Sequence, residues 1–216
     1  MKPISLTLRV LAAGLMLWIT GCSTAYYAAW EKLGYAKRDI LKERVVEARD
    51  EQQAASEQFK DALTKLKEVY AFDGGNLEKP YKQLQGEFDA SQAQADAVKK
   101  RIRSMETVAT DLFTEWEKEI GQISNAGMAS SSRQKLQETR SRYGEMHAAL
   151  LKAEDSMDPV LAQFRDYSLS LKHSLNAQAI ASLKGEAVNI QNDIGKLIGE
   201  MNASIARADA FVKTLQ

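Results

Sequence analysis

The chain is poor in the residues that mark most functional classes. Its 216 residues include one cysteine, three prolines, 12 glycines and two histidines, His147 and His173. A single cysteine excludes a disulfide framework. So little proline and glycine excludes collagen-like and low-complexity chains. A multi-span membrane protein is excluded, because no apolar run approaches the ~20 residues that a spanning helix needs. Zinc sites of the usual Cys/His type cannot be assembled from this inventory. HExxH, GxxxxGK[ST] and GxSxG motifs are all missing, so a P-loop ATPase and a nucleophile-elbow hydrolase have no starting point. An excess of one charge is missing too: Lys and Arg make 29, Asp and Glu 29. Because Lys2 and Arg9 are the only charges before Cys22, a chain starting there carries 27 bases against 29 acids. That balance argues against nucleic acid or an anionic bilayer as the main partner, since both demand a basic face. Few Val, Ile and aromatic residues against much Ala, Glu, Lys, Gln and Leu favours helix over strand.

The clearest signal is at the start. Residues 1–9 are short and basic, and Val10 to Ile19 form a ten-residue run without a charge. As helix this run rises roughly 15 Å, about half the hydrocarbon core, which fits a secretory signal rather than a span. It closes on Ile19-Thr20-Gly21-Cys22, a tetrad that resembles the bacterial lipobox. The resemblance implies a signal peptide over 1–21, cleavage before Cys22 and acylation of the Cys22 thiol and new amine. Two or three chains anchor stably where one does not. By resemblance to the sorting rule of enteric bacteria, Ser23 points to the outer membrane, facing the periplasm. Tyr26, Tyr27 and Trp30 fit either the headgroup level or the start of a helix seam.

Residues 22–216 read as a single helical domain. Apolar residues recur at steps of three and four from Trp30 to Val69, from Tyr81 to Trp116, from Leu136 to Leu171 and from Leu183 to Phe211. No stretch alternates with period two. The expected fold is all-α, an elongated antiparallel up-down bundle of about four long coiled-coil-like helices. The breaks are Phe72–Asn76, the Gly/Ser-rich stretch 121–132, and His173–Asn176, where Asn176 is a candidate N-cap. Pro80 is tolerable in the first turn of a helix, and Asp158-Pro159 fits either a kink or a fresh helix start capped by Asp158, the continued rhythm favouring a kink within the third run. Up-down order puts the 72–76 and 173–176 turns at the end far from the anchor.

Few side chains call for chemistry. Glu145 and His147 are two apart and fall on different helix faces, so they do not form a bundle metal pair. Trp116 sits at a seam position and reads as core. Gly195-x-x-x-Gly199 reads as a close approach between helices. Lys99, Lys100, Arg101 and Arg103 read as a solvated face. The residues hardest to explain structurally are His173 and Asn176, since a bundle turn needs neither; with Asp73 and Asn76 of the 72–76 turn they become the candidate partner-binding tip. The expected function is therefore a non-catalytic, lipid-anchored scaffold or adaptor for an envelope protein, without metal or cofactor. Alternatives are self-assembly, as a homodimer through the long seams, or a bundle that binds a small or lipid ligand.

Four segments carry a family likeness: WEKLGYAKRDIL from Trp30, FDGGNLEKPYKQL from Phe72, VATDLFTEWEKEI from Val108 and LKHSLNAQAIASL from Leu171. Together they resemble the uncharacterised family of proteobacterial helical lipoproteins known as domain of unknown function 2959. Pro80, and Ser174 in place of an asparagine, depart from its pattern. The resemblance implies an all-helical, membrane-tethered protein and brings no activity with it.

Overall fold

A computed structural model describes residues 37–72, 77–173 and 177–215. The chain divides into two compact units, 1–40 and 41–216, and all but four of the described residues belong to the second. Every regular element among the described residues is an α-helix: α1 (Lys37–Tyr70), α2 (Glu78–Ile120), α3 (Ala126–Asp155), α4 (Met157–His173), α5 (Ala177–Ser182) and α6 (Lys184–Thr214). None is long and apolar enough to cross a membrane.

Among the described residues, the seams read from the sequence face the interior. Val45, Ala48, Ala55, Phe59, Ala62 and Leu66 on α1 are fully buried, and Leu84, Ala95, Val98, Ile102 and Met105 do the same on α2. Small alanines between large side chains let helices approach closely, while Phe59 and Phe164 fill the wider spaces. Polar ties between rods fix an antiparallel register. From α1 to α2, Gln58 donates to Glu87 at 2.8 Å, Gln94 to Glu51 at 2.7 Å and Arg101 to Glu47 at 3.2 Å. From α2 onward, Trp116 Nε1 donates to Ser132 at 3.0 Å, Lys99 Nζ to Asp158 at 2.7 Å and Ser168 to Gln85 at 2.7 Å. The last two reach α4, so α3 and α4 run along α2 as one rod.

That rod is interrupted at Ser156, one turn before the expected kink. Pro159 has no N–H for the carbonyl of Asp155 and its ring crowds that oxygen, so the disturbance appears upstream of the proline. Ser156 keeps a right-handed conformation (φ −75°, ψ −14°) and its N–H still reaches Lys152 O at 3.2 Å. Met157 and Val160 therefore continue the buried seam. A second interruption falls at Leu183, between α5 and α6, beside Ser182 and Gly185, both weaker helix formers than Ala.

Two expectations need correction. The connection between α2 and α3 spans only 121–125, because Asn125 caps α3 by accepting from Met128 N at 3.0 Å. Capping turns Ala126–Ser132, read as loop for its Gly and Ser, into the first two turns of a helix. Nor does Gly195-x-x-x-Gly199 admit a neighbouring helix. Both glycines are exposed, and a Cβ at either would meet nothing within 4 Å.

Candidate functional site

One end of the bundle gathers the C-terminal ends of α1 and α4 and the N-terminal ends of α2 and α6. Lys184 Nζ stands 5.5 Å from the ring centre of Tyr70, joining the start of α6 to the end of α1. His173 is the last residue of α4 and is exposed. It is the one member of the expected tip that the structure places. Asp73, Asn76 and Asn176 lie outside the described residues, as does Cys22.

Just inside this end, α4 and α6 leave an open groove of about 630 Å³. Steps of three and four bring Gln163, Asp166, Tyr167 and Ser170 to it from α4, and Glu186, Asn189, Asp193 and Lys196 from α6. Asp193 accepts from Lys196 Nζ at 3.0 Å and from Gln163 Nε2 at 3.1 Å. The lysine contact first, then the amide, holds its carboxyl below the usual carboxylate range. Asp166 stands 3.6 Å from Arg165 Nε. Glu186 stands in the first turn of α6. Tyr167 is 3% exposed, and its buried hydroxyl has no partner among the described residues. Burial, and secondarily the Glu186 charge, pushes its phenol up to about 12.

A second cluster joins α2, α3 and α6 near the other end. His147 Nε2 is 2.6 Å from Glu106 Oε1, and the Tyr143 ring stacks on the imidazole at 5.5 Å. Phe113 and Phe211 meet Tyr143 edge-on at 5.6 and 5.9 Å, and Arg140 covers Phe113 at 5.3 Å. The Tyr143 hydroxyl is buried without a partner among the described residues, and desolvation followed by the Glu106 charge raises its pKa strongly. A smaller cavity of about 320 Å³ lies alongside, where Arg142 and Arg207 flank Met146 and Phe211. Neither His147 nor Glu106 lines it or the larger groove. The pair therefore ties α2 to α3.

Over residues 26–215 the chain matches the model of a family described as a protein of unknown function, DUF2959. The chain belongs to this family. No curated protein matches it. The family match takes in every described helix and all four segments that carried the likeness, so the family is defined by the bundle as a whole.

In this family member the sequence reading missed the groove, the Glu106–His147 pair and a buried polar tie at Gln52. Gln52 Nε2 donates to Leu150 O at 3.3 Å, and Ser204 Oγ donates to Gln52 Oε1 at 3.1 Å. A signal for the last was present. Position 52 completes the three-four rhythm between Ala48 and Ala55, so a polar side chain there had to be buried. Glu145, two residues from His147 in sequence, lies on another face of the helix. The partner in an antiparallel hairpin comes from the facing helix, and fixing the short 121–125 turn brings residue 106 opposite 147. The basic run also resolves: Lys99 binds Asp158, and Arg101 binds Glu47 and Glu51, so both tie helices together.

Proposed function

We propose that this family member is a lipid-anchored, non-catalytic adaptor of the bacterial envelope. Acylated Cys22 holds it at the outer membrane on the periplasmic side, and the bundle is presented to a protein partner. The observation that carries the reading is the combination of the Ile19-Thr20-Gly21-Cys22 tetrad with a body made wholly, among the described residues, of helices in continuous register. Support for a non-catalytic role comes from how polar groups are used. Arg49 bridges to Asp209 at 2.7 Å, Lys152 to Glu200 at 2.9 Å and Arg140 to Glu117, so charged side chains brace rods. α2 alone has 43 residues, a rise of roughly 65 Å, which separates the turn at 121–125 from the end bearing His173.

Two measurements test this. Cells grown with labelled palmitate should incorporate label into the wild-type chain, and Cys22→Ser should lose the label and move from the membrane to the soluble fraction. An unlabelled or equally membrane-bound wild type and variant would remove the anchor. Photo-crosslinking from positions 76 and 173 should yield one discrete product with another protein. Capture only from the flank of the bundle, or only of a second copy, would replace the tip adaptor by a side-binding or self-assembling protein.

A further inference from the structure

We infer that the turn between α2 and α3 rests on the phospholipid surface at the headgroup level and so sets which end of the bundle faces the bilayer; the inference builds on the lipid anchor proposed above. Antiparallel register gives the first argument. Arg101 is level with Glu47, and Arg49 with Asp209. Beyond those marks α2 continues from Arg101 to Ile120, a rise of roughly 28 Å, while α6 continues from Asp209 only to Thr214, roughly 7.5 Å. The α2–α3 hairpin therefore projects about 20 Å past the last turn of α6. Trp116 and Ser132, joined at 3.0 Å, keep its two helices in register there.

The chemistry of the projecting turn suits a boundary between water and lipid. From Ile120 to Ser132 the sequence carries no charge, so seating it among headgroups desolvates no ion. Met128 is 64% exposed, the most exposed large apolar side chain among the described residues, and Ile123 in the turn itself is partly exposed. Gln122, Ser124 and Ser130 are exposed as well, and their amide and hydroxyl hydrogens can be donated to phosphate and ester oxygens. Two apolar side chains in a polar, uncharged surround match headgroup depth and not the hydrocarbon core.

Chain length brings lipid to this end. Because α1 and α2 are antiparallel, α1 runs back from Glu47 to Leu41 in the direction of the turn, which stands roughly 20 Å farther along the axis. The chain from Leu41 back to Cys22 reaches at most about 65 Å, so the turn is well within its range. Tyr70, at the opposite end, stands roughly 44 Å from Leu41 the other way. A contact of two apolar side chains would hold a free protein only fleetingly. Once acyl chains tether the molecule, the turn meets the surface as an intramolecular contact at high effective concentration, and a weak contact suffices. The anchor then fixes location and the turn fixes direction, leaving the end that bears His173 facing away from the bilayer.

The test is fluorescence quenching of the full-length, membrane-purified protein in vesicles of phosphatidylethanolamine and phosphatidylglycerol that carry bromine near the top of the acyl chains. With the Cys22 thiol taken up by lipid, Gln122→Cys leaves one thiol for an environment-sensitive fluorophore, and Val188→Cys, exposed in the second turn of α6, provides the comparison. Emission from position 122 should shift to the blue and be quenched at least about threefold more than emission from 188, as shallow insertion requires. Adding Met128→Asp should cut the quenching at 122 by about half or more, since a charge resists that depth. An aspartate in the first turn of α3 suits the helix dipole, so this change does not threaten the fold. Flotation of the protein with the vesicles reads the anchor separately. Protein that floats but stays unquenched at 122, equal quenching at 122 and 188, or indifference to Met128→Asp would each overturn the turn contact while leaving the anchor in place. Protein that does not float would overturn both.

Discussion

At the residue scale, Gln52 shows how a bundle of repeating seams selects one alignment. An amide at a core position is satisfied only where Leu150 O and Ser204 Oγ come opposite it. Sliding either neighbouring rod by a turn would bury the amide unpaired, at a cost of about 1–3 kcal/mol. A single polar residue at a seam position fixes register in coiled coils by the same physics. Gln52→Ala should therefore lower unfolding free energy by about 1–3 kcal/mol in urea denaturation. Gln52→Leu combined with Ser204→Ala should recover most of that loss, because removing both partners leaves nothing unpaired. The double variant should nevertheless exchange its core amide hydrogens faster if Gln52 serves alignment; protection equal to wild type would leave the residue no such role. Sequence rhythm alone located position 52 in the core. It could not show which main-chain oxygen the amide would find, because that depends on how two other rods are set.

At the scale of the element, the seams were readable and the helix ends were not. Alternating three-four steps appear in each segment by itself, so α1, α2, the α3–α4 rod and α6 follow from local pattern. Ends depend on single capping groups, and Asn125 outweighed the loop-like composition of the residues after it. The misread glycines have a use as a test. Gly195 and Gly199 lie on the exposed face of α6, with open space where a Cβ would go. Alanine there adds no clash and removes backbone freedom from the unfolded chain, so each Gly→Ala change should stabilise by about 0.5–1 kcal/mol. The double variant should melt several degrees higher. Unchanged or lower melting would mean that this face is covered in the protein's working state.

At the scale of the whole molecule, proton linkage joins the two tyrosines. Both phenols are raised above their ordinary value of 10 by burial, Tyr167 to about 12 and Tyr143 more strongly. Above pH 10 the unfolded chain releases these protons while the folded one keeps them, so stability falls as pH rises toward 12. Urea unfolding midpoints should drop over that interval, and Tyr143→Phe with Tyr167→Phe should flatten the drop while raising the midpoint at neutral pH. A drop of equal steepness in the double variant would assign it to other groups. Fold class and helix order were legible at this scale because antiparallel rods with short turns admit few arrangements. The groove was not, since Asp166 and Glu186 become neighbours only after α4 and α6 pair. One further consequence follows from the unbroken register. Length can change in such a chain only by whole seven-residue pieces taken from facing rods together, at the hairpin ends. Removing a heptad from α1 alone would carry Gln52 away from Ser204 and set Glu47 against the wrong turn of α2. Insertions and deletions among functional relatives should therefore come in matched pairs across a turn, a rule that can be checked by aligning their lengths.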